Sequence, residues 1–358
     1  MTNNTINNSL ILLLWNCNGI LNHINELTAT LHDKRIDIAL ISESHLTDRA
    51  RINIPGYQLI TSNHPDSTAH AGSAILIRTH LQFYSLTNYN KDYIQACAIS
   101  LSLNHVRLTI AAAYCPPKHN ITIDQFKLFF KHLGHKFIVG GDINAKHPHW
   151  GCRTSNPRGN TLLRFINSEH CLIHSPPDPT YWPTSPRKRP DILDIFISKV
   201  PNNLFHHIEN FNYLYSDHSA VLLTIDSSPP IIEAKSSLTN KNTDWNKFQN
   251  LLTNETNLSI KLKTPNDIEI AITNLTNSIQ SAAKNSTPPT KPISPFSLNL
   301  PAHIRSLINE KRRARAVWQT SKYPSDKRRM NTLSAHLKRL LSKLRNESFS
   351  NYLSSLTS

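Results

Sequence analysis

Asp142 and Asn144 stand two residues apart, just beyond the apolar run Phe137-Ile138-Val139 and the pair Gly140-Gly141. Residues two apart on extended backbone point the same way. A carboxylate and a carboxamide therefore leave the end of a buried strand side by side. Phe137–Val139 reads as that strand, and the two glycines read as its end and as a place of close backbone approach. An Asx-turn closing a strand would explain the pair by itself. The arrangement recurs, however. Asn16 and Asn18 follow the apolar run Leu10–Trp15, and Glu43 follows Ile36–Ile41. Tyr114 ends Val106–Ala113, Asp194 lies within Asp191–Ser198, and Asp217-His218 precede Val221–Ile225.

Strand ends that converge on one edge would gather these residues into a single cluster. It would hold carboxylates, carboxamides, one imidazole and one phenol, without a cysteine pair or a Gly-rich phosphate loop. Such oxygen-rich ligands suit a hard divalent ion such as Mg²⁺. A histidine beside that ion suits hydrolysis of a phosphate ester. Each residue also has a plainer role. Glu43 alone is a solvated strand-end carboxylate, Asn16 and Asn18 cap a turn at Gly19, and Tyr114 is a half-buried strand-end tyrosine. His218 is one of 19 histidines, and the preceding Asp217 is what sets it apart.

The elements that must position these groups are legible from periodicity. Leu21, Ile24, Leu27 and Leu31 recur at helical spacing between two buried-strand runs, a β-α-β start that implies a layered α/β core. Ser73–Arg78, Ala96–Leu103 and Val106–Ala113 read as further strands, the last stopped by Pro116-Pro117. Ile123–Leu133 and Asn160–Ser168 read as helices. Asp191–Ser198 and Val221–Ile225 read as late strands.

The net charge is +15, from 39 Lys and Arg against 24 Asp and Glu. A chain this basic most often meets nucleic acid or another polyanion. The charge is concentrated between Arg305 and Arg345, where 13 basic residues face two acidic ones. The five cysteines include no Cys-x-x-Cys pair, which argues against a disulfide framework or a zinc ribbon and fits a nuclear or cytoplasmic setting. Leu10–Leu14 is too short to span a bilayer and no basic residue precedes it, so no membrane partner and no signal peptide are expected.

The order and wording of six stretches resemble the endonuclease/exonuclease/phosphatase superfamily, the DNase I-like fold. They are Trp15-Asn16-x-Asn18-Gly19, Ser42-Glu43-Ser44, Tyr114-x-Pro116-Pro117, Gly140-Gly141-Asp142-Ile143-Asn144-Ala145, Leu193-Asp194-Ile195-Phe196 and Ser216-Asp217-His218. Within the superfamily the chain is most similar to the endonuclease domain of jockey-like non-LTR retrotransposons. Leu300-Pro301-x-x-Ile304-x-x-Leu307-Ile308-x-x-Lys311-Arg312-Arg313-Ala314-Arg315-x-x-Trp318 resembles the segment between endonuclease and reverse transcriptase in those polyproteins. No polymerase-like Tyr-x-Asp-Asp occurs, so the chain reads as a truncated copy, a fragment or the front of a longer frame.

The resemblance implies an α/β fold, a two-layered β-sandwich flanked by helices, with a basic α-helical extension. It divides the chain into an endonuclease domain over 1–225, a linker with a small helical segment over 226–299, and a basic connector over 300–358. It implies a DNA endonuclease using Mg²⁺ or Mn²⁺ and nicking target DNA to leave a 3′-hydroxyl for reverse transcription. Glu43 would hold the metal with Asn16, with Asn18 and Asp217 as further candidates. Asn18 stands where many members carry Asp, and a neutral amide is the weaker ligand. Asp142 would orient or deprotonate water, and Asn144, His218 and Tyr114 would brace the phosphate. Asp194 would fix the His218 tautomer, and Asp191 lies too early in the strand for that role. Other readings are a different phosphoesterase of the same fold, or an inactive nucleic-acid-binding remnant.

Between the catalytic stretches, Tyr181-Trp182-Pro183 through Arg187-Lys188-Arg189 reads as a surface loop touching DNA phosphates, or as a Pro-rich connector. Residues 226–243 read as a linker, Asp244–Ala283 as a small helical unit and Ser286–Pro295 as a second break. Ile304, Leu307, Ile308, Ala314 and Trp318 share a helical face ringed by arginines. Lys311, Arg312, Arg313 and Arg315 are expected on DNA or on the element RNA. Met330, Leu333, Leu337, Leu340 and Leu344 form a seam that takes either a separate partner helix or the neighbouring helix of a hairpin.

Overall fold

A computed structural model of the chain describes residues 9–103, 106–185, 187–200, 205–227, 238–240, 242–256, 260, 262–288 and 300–357. They fall into two compact units, one within Met1–Ile232 and Ser297–Ser358, the other within Glu233–Phe296.

The first unit is a sandwich of two sheets. Near-continuous apolar runs form its central strands, because both faces of each sheet are covered. One sheet holds β1 (Leu10–Asn16), β2 (Ile38–Ser42), β3 (Tyr57–Ser62), β4 (Ser73–Arg78), β12 (Phe205–Phe211) and β13 (Ala220–Ile225). Their spatial order is β12-β13-β1-β2-β4-β3. The second holds β5 (Phe83–Ser85), β6 (Tyr89–Lys91), β7 (Ile94–Leu103), β8 (Val106–Tyr114), β9 (Phe137–Asp142), β10 (Leu172–His174) and β11 (Asp194–Ser198). Its order is β10-β11-β9-β8-β7-β5, with β6 also paired to β7. Leu12, Leu14, Leu40 and Ile75 meet Ile99, Ile110, Ile138 and Phe196 between the sheets.

Helices cover the outer faces. α1 (Ile24–Asp33) buries Leu27 and Leu31 on the first sheet. α2 (Ile123–Leu133) and α3 (Pro157–Glu169) set Phe126, Phe129, Phe130, Leu162 and Phe165 on the second. Local chemistry places their starts. Thr122 and Gln125 form a reciprocal capping box at α2, and Asn156 caps α3 ahead of Pro157.

Within each sheet one parallel pair, β1–β2 and β8–β9, brings a strand carrying site residues in register with its neighbour. Asn16 pairs with Ser42, and Tyr114 with Asp142. The antiparallel β9–β11 pair sets Asp194 opposite Asp142.

The glycines behave differently from the sequence-based expectation. Gly140 and Gly141 lie inside β9 and do not end it. What they provide is clearance. A Cβ on Gly140 would stand 2.8 Å from both Leu40 Cδ1 and Phe196 Cε1. A Cβ on Gly141 would stand 2.2 Å from the Ala113 carbonyl oxygen.

α6 (Ala302–Ser321) and α7 (Pro324–Thr357) pack on each other within the first unit. Leu300, Ile304, Leu337 and Leu341 close a small core with Ala29 of α1. The Met330–Leu344 seam therefore finds its cover in this chain, against α6 and the α1 side of the sandwich. The second unit consists of α4 (Trp245–Glu255) and α5 (Pro265–Ser286), the latter begun by a Thr264–Asp267 capping box. The linker expected over 226–243 and the break over Ser286–Pro295 fall largely outside the described residues.

Gly141→Ala should be severely destabilising, because the obstructing atom is backbone that cannot rotate away. Overpacking typically costs about 1–3 kcal/mol, and the upper end or beyond is expected where backbone must move. Urea unfolding of the two proteins measures it, and a near-neutral change would show that β8 and β9 separate freely.

Candidate active site

The site begins with one carboxamide. Asn16 ends β1 fully buried, and its Nδ2 donates to Glu43 Oε1 at 3.0 Å and to Asp142 Oδ2 at 2.8 Å. Glu43 follows the first sheet and Asp142 ends a strand of the second, so a single NH₂ group spans the sandwich. A second tie lies beside it. Ser42 Oγ sits 3.0 Å from the Ala113 carbonyl and accepts from the Asp142 amide at 3.0 Å.

Asp142 leads on to the imidazole. His218 Nε2 lies 3.9 Å from Asp142 Oδ2, and His218 Nδ1 lies 2.7 Å from Asp194 Oδ2. Thr180 Oγ1 accepts from the Leu193 and Asp194 amides, fixing the start of β11. The Tyr181 ring packs 5.0 Å from the His218 ring. Ser216 Oγ accepts from the His218 amide at 3.0 Å and lies 2.7 Å from the Asn16 carbonyl.

The backbone is left-handed at Asn18, with φ 46°, and at three positions around Glu43 and Asp142. Glu43 has φ 50°, His45 φ 51° and Asn144 φ 51°. Asn144 tolerates this conformation well, whereas a glutamate there stores strain of about 1–3 kcal/mol. The Gly19 amide holds the Glu43 carbonyl at 2.8 Å. The Asn144 amide donates to Asp142 Oδ1 at 3.1 Å, which is the Asx-turn, and its side chain donates to the Cys115 carbonyl at 3.3 Å.

Burial and charge act in opposite directions here. Burial opposes the Glu43 charge, but hydrogen bonds from His45 and Asn16 and the nearby His218 outweigh it and lower the carboxyl's pKa. Burial raises Asp142, and the Asp194 and Glu43 carboxylates add to that against the pull of His218. Burial disfavours a charged His218, yet Asp194 at Nδ1, then Asp142 and Asp217, reverse the balance and raise it. Burial, then the Glu43 and Asp142 charges, keep Tyr114 a phenol.

The site therefore gathers Asn16, Glu43, Tyr114, Asp142, Asn144, Asp194 and His218. Asp217 borders it, with Oδ1 buried and without a hydrogen-bond donor among the described residues. Asp194 Oδ1 is in the same condition. Carboxylate oxygens without a hydrogen-bond partner are donors of the kind a hard divalent cation takes. Among the described residues, the His/Cys/Asp/Glu trio tight enough to share an ion lies elsewhere. Oxygen donors spread around Asn16 fit an ion that keeps several waters better than a closed tetrahedral cage.

Asn18 does not join the cluster through its side chain. It is exposed, and its amide donates to Asn16 Oδ1. Asp191 is turned away, buried on Lys146 Nζ at 3.0 Å. Arg187, Lys188 and Arg189 are exposed on a loop pinned beside His218 by the Tyr181 bridge and by the Trp182 amide on the Asp217 carbonyl.

Lys311 and Arg315 depart from their expected place on nucleic acid. Both are buried, at 1% and 2% exposure. Lys311 bonds Glu26 and the Tyr213 carbonyl. Arg315 donates to the carbonyls of Leu214, Ser216 and His218. The physical reason is the segment 213–218, whose turn leaves carbonyls that need buried donors. Arg312 is exposed and packs over Tyr213, 4.5 Å from its ring centre, and Arg313 is exposed.

Sequence reasoning missed His45, Thr180, Arg158 and the bracing role of Arg315. Arg158 is buried and donates to the Cys115, Ile143 and Pro116 carbonyls, holding together the turns after β8 and β9. No local spacing announces such long-range donors.

Residues 108–222 match the family model described as endonuclease-reverse transcriptase. That stretch, which runs from β8 into β13 and contains Asp142, Asp194 and His218, is similar to the retrotransposon endonucleases of the endonuclease/exonuclease/phosphatase superfamily. It is 30% identical over 332 residues to the RNA-directed DNA polymerase from mobile element jockey of Drosophila melanogaster. That alignment covers 92% of this chain and 36% of the relative, so the chain spans a little over a third of its length. The probable RNA-directed DNA polymerase from transposon BS of the same species is 29% identical, over 98% of this chain and 39% of the relative. Among solved structures, the endonuclease domain of TRAS1, a telomere-specific non-LTR retrotransposon, aligns with a TM-score of 0.51 at 21% identity. It covers 61% of this chain and 98% of that domain. The Leishmania major AP endonuclease aligns at 0.50 and 11% identity, over 61% and 88%. These two likenesses are of fold.

Arg315→Met keeps the stem and removes the donors, leaving buried carbonyls unpaired. The full chain should be destabilised by about 2–4 kcal/mol, the usual consequence of orphaned buried acceptors, and denaturant unfolding measures it. A stability within about 0.5 kcal/mol of the parent would show that the segment 214–218 is held by other interactions.

Proposed function

We propose that the chain is a divalent-metal-dependent DNA endonuclease that hydrolyses a phosphodiester and leaves a 3′-hydroxyl able to prime reverse transcription. The observation that carries the reading is the contiguous Glu43–Asn16–Asp142–His218–Asp194 network. It lies where two sheets end, in a chain related to polymerases of mobile elements.

Mg²⁺, or Mn²⁺ in its place, would be held by Glu43 with Asn16, and Asp217 lies at the border with an unfilled oxygen. When bound, the ion supplies positive charge that offsets the phosphate and the leaving oxygen. Asp142 accepts from Asn16 on one oxygen and from the Asn144 amide on the other, so its carboxylate is fixed in direction. Its raised proton affinity suits a group that aligns water and receives its proton near neutral pH. His218, charged through Asp194, sets an N–H donor against the phosphoryl oxygens, and Asp194 decides which ring nitrogen faces outward. The Asn144 carboxamide and the Tyr114 phenol add neutral donors, each of a kind that contributes about 3–4 kcal/mol to a developing oxyanion.

The exposed Arg187, Lys188 and Arg189 are the groups we assign to DNA phosphates. On the helical hairpin that role, toward DNA or the element RNA, is left to exposed residues such as Arg313, Arg328 and Arg339.

Incubation with supercoiled plasmid should give nicked circles in Mg²⁺ and none in excess chelator. Asp142→Ala and His218→Ala should each slow nicking by about 10²–10⁴-fold. Unchanged nicking by both variants would remove the proposal, and binding without nicking by the parent would mark an inactive remnant. Replacing Arg187, Lys188 and Arg189 together by Ala should make the slope of log binding constant against log salt shallower, by about 0.9 for each phosphate no longer neutralised. An unchanged slope would take the loop off the DNA.

A further inference from the structure

Away from the nuclease centre, the turn between β3 and β4 folds His64, Asp66 and His70 onto one another. His64 Nδ1 lies 3.0 Å from Asp66 Oδ1, and His70 Nε2 lies 3.5 Å from Asp66 Oδ2. The imidazole centres are 4.2 Å apart, and one ligand atom from each of the three residues lies within 4.8 Å of the others. A tetrahedral ion with bonds of roughly 2.0–2.1 Å keeps its ligand atoms about 3.3 Å apart. The two nitrogen–oxygen separations, each to its own oxygen of the Asp66 carboxylate, lie on either side of that value. We propose that His64, Asp66 and His70 form a Zn²⁺ site, two imidazoles and a carboxylate with water completing the shell.

The surroundings orient each ligand. Thr68 Oγ1 lies 2.6 Å from His70 Nδ1 and 2.9 Å from Asp66 Oδ1. A proton on His70 Nδ1 is thus taken by the threonine, whose own proton goes to Asp66, and the Nε2 lone pair is left facing the carboxylate. Outer hydrogen bonds of this kind fix tautomer and ring direction at zinc sites. The Thr68 amide also donates to Asp66 Oδ1 at 2.9 Å, which fixes the direction of the carboxylate. His64 is 9% exposed and Asp66 46%, so one side of the trio is anchored in protein and the other opens to water. His64 Nδ1 accepts a long 3.3 Å bond from the Asp66 amide, which an ion would displace.

The turn is tied to the nuclease centre through its far end. The carbonyls of Ala71 and Gly72 accept from the amides of His45 and Ser44, at 3.0 and 3.2 Å. Those are the two residues after Glu43. An ion joining positions 64 and 70 would therefore stiffen the clasp that holds the Glu43 segment in its left-handed conformation.

The test uses the full chain, free of any tag and stripped of metal, with millimolar Mg²⁺ present throughout. Zn²⁺ is titrated against a chromophoric competitor. One equivalent should bind, weakened roughly 10–100-fold or more in Asp66→Asn and in the double variant His64→Ala/His70→Ala. Asp66 is exposed, so Asp66→Asn reports on the ion even where the double variant fails to fold. Zn²⁺ should also slow hydrogen exchange at the Ser44 and His45 amides in the parent and leave it unchanged in Asp66→Asn. The proposal is overturned if the parent takes up no stoichiometric Zn²⁺, or if Asp66→Asn binds it equally well. Neither readout uses DNA or turnover, so the result stands apart from the nuclease reading.

Discussion

The centre of this molecule depends on a neutral group placed between two anions. Glu43 and Asp142 come from different sheets, and bringing two carboxylates together in a buried place is costly. The Asn16 NH₂ group gives one proton to each. A lysine or arginine there would neutralise the pair and blunt its chemistry, and an apolar residue would let it repel. The amide holds the negative charges at fixed distance without cancelling them, and the His218 imidazole lies next to that charge, 3.9 Å from Asp142 Oδ2. Asn16 is fully buried and also accepts from the Asn18 amide, so the turn after β1 is built around it.

Around that constraint the fold places long-range donors where the backbone has run out of partners. The turns after β1, β8, β9 and before β13 leave carbonyls that no sheet ladder satisfies. Arg158 serves those after β8 and β9 and Arg315 those around Asp217, while Ser42 and Ser216 reach carbonyls in the last residues of β8 and β1. A buried arginine fits this work because its donors fan out in one plane and can serve several carbonyls at once. Arg315 reaches the loop from α6, nearly 100 residues later in the chain. The C-terminal helices are thus part of the structural support of the His218 loop, whatever else their exposed arginines do.

Strain at Glu43 fits the same scheme. A left-handed glutamate persists when its neighbours over-determine it. Its carbonyl is held by Gly19, its carboxylate by Asn16 and His45, and the next two amides by the turn at Ala71-Gly72. The backbone conformation aims the side chain into the cluster and away from the next position along β2.

Much of the architecture was determined by sequence alone. Apolar runs of strand length, helical spacing at Leu27 and Leu31, and prolines and caps at the boundaries are local signals, and they placed most strands and helices of the sandwich. The polar residues at strand ends were visible for the same reason. Their convergence was not local, and only the stacking of two sheets brought Asn16 within reach of Asp142. Tertiary structure also overruled local appearance at three places. Gly140-Gly141 looked like a strand end and is strand interior, because neighbouring strands leave no room for a Cβ. Asn18 looked like a partner of Asn16 and points outward from a left-handed turn. Lys311 and Arg315 looked like surface charge and are buried, because unpaired carbonyls across the fold attract them more strongly than solvent does. A sequence displays charge and periodicity. Which buried acceptor each cation serves depends on distances that exist only once the chain has closed on itself.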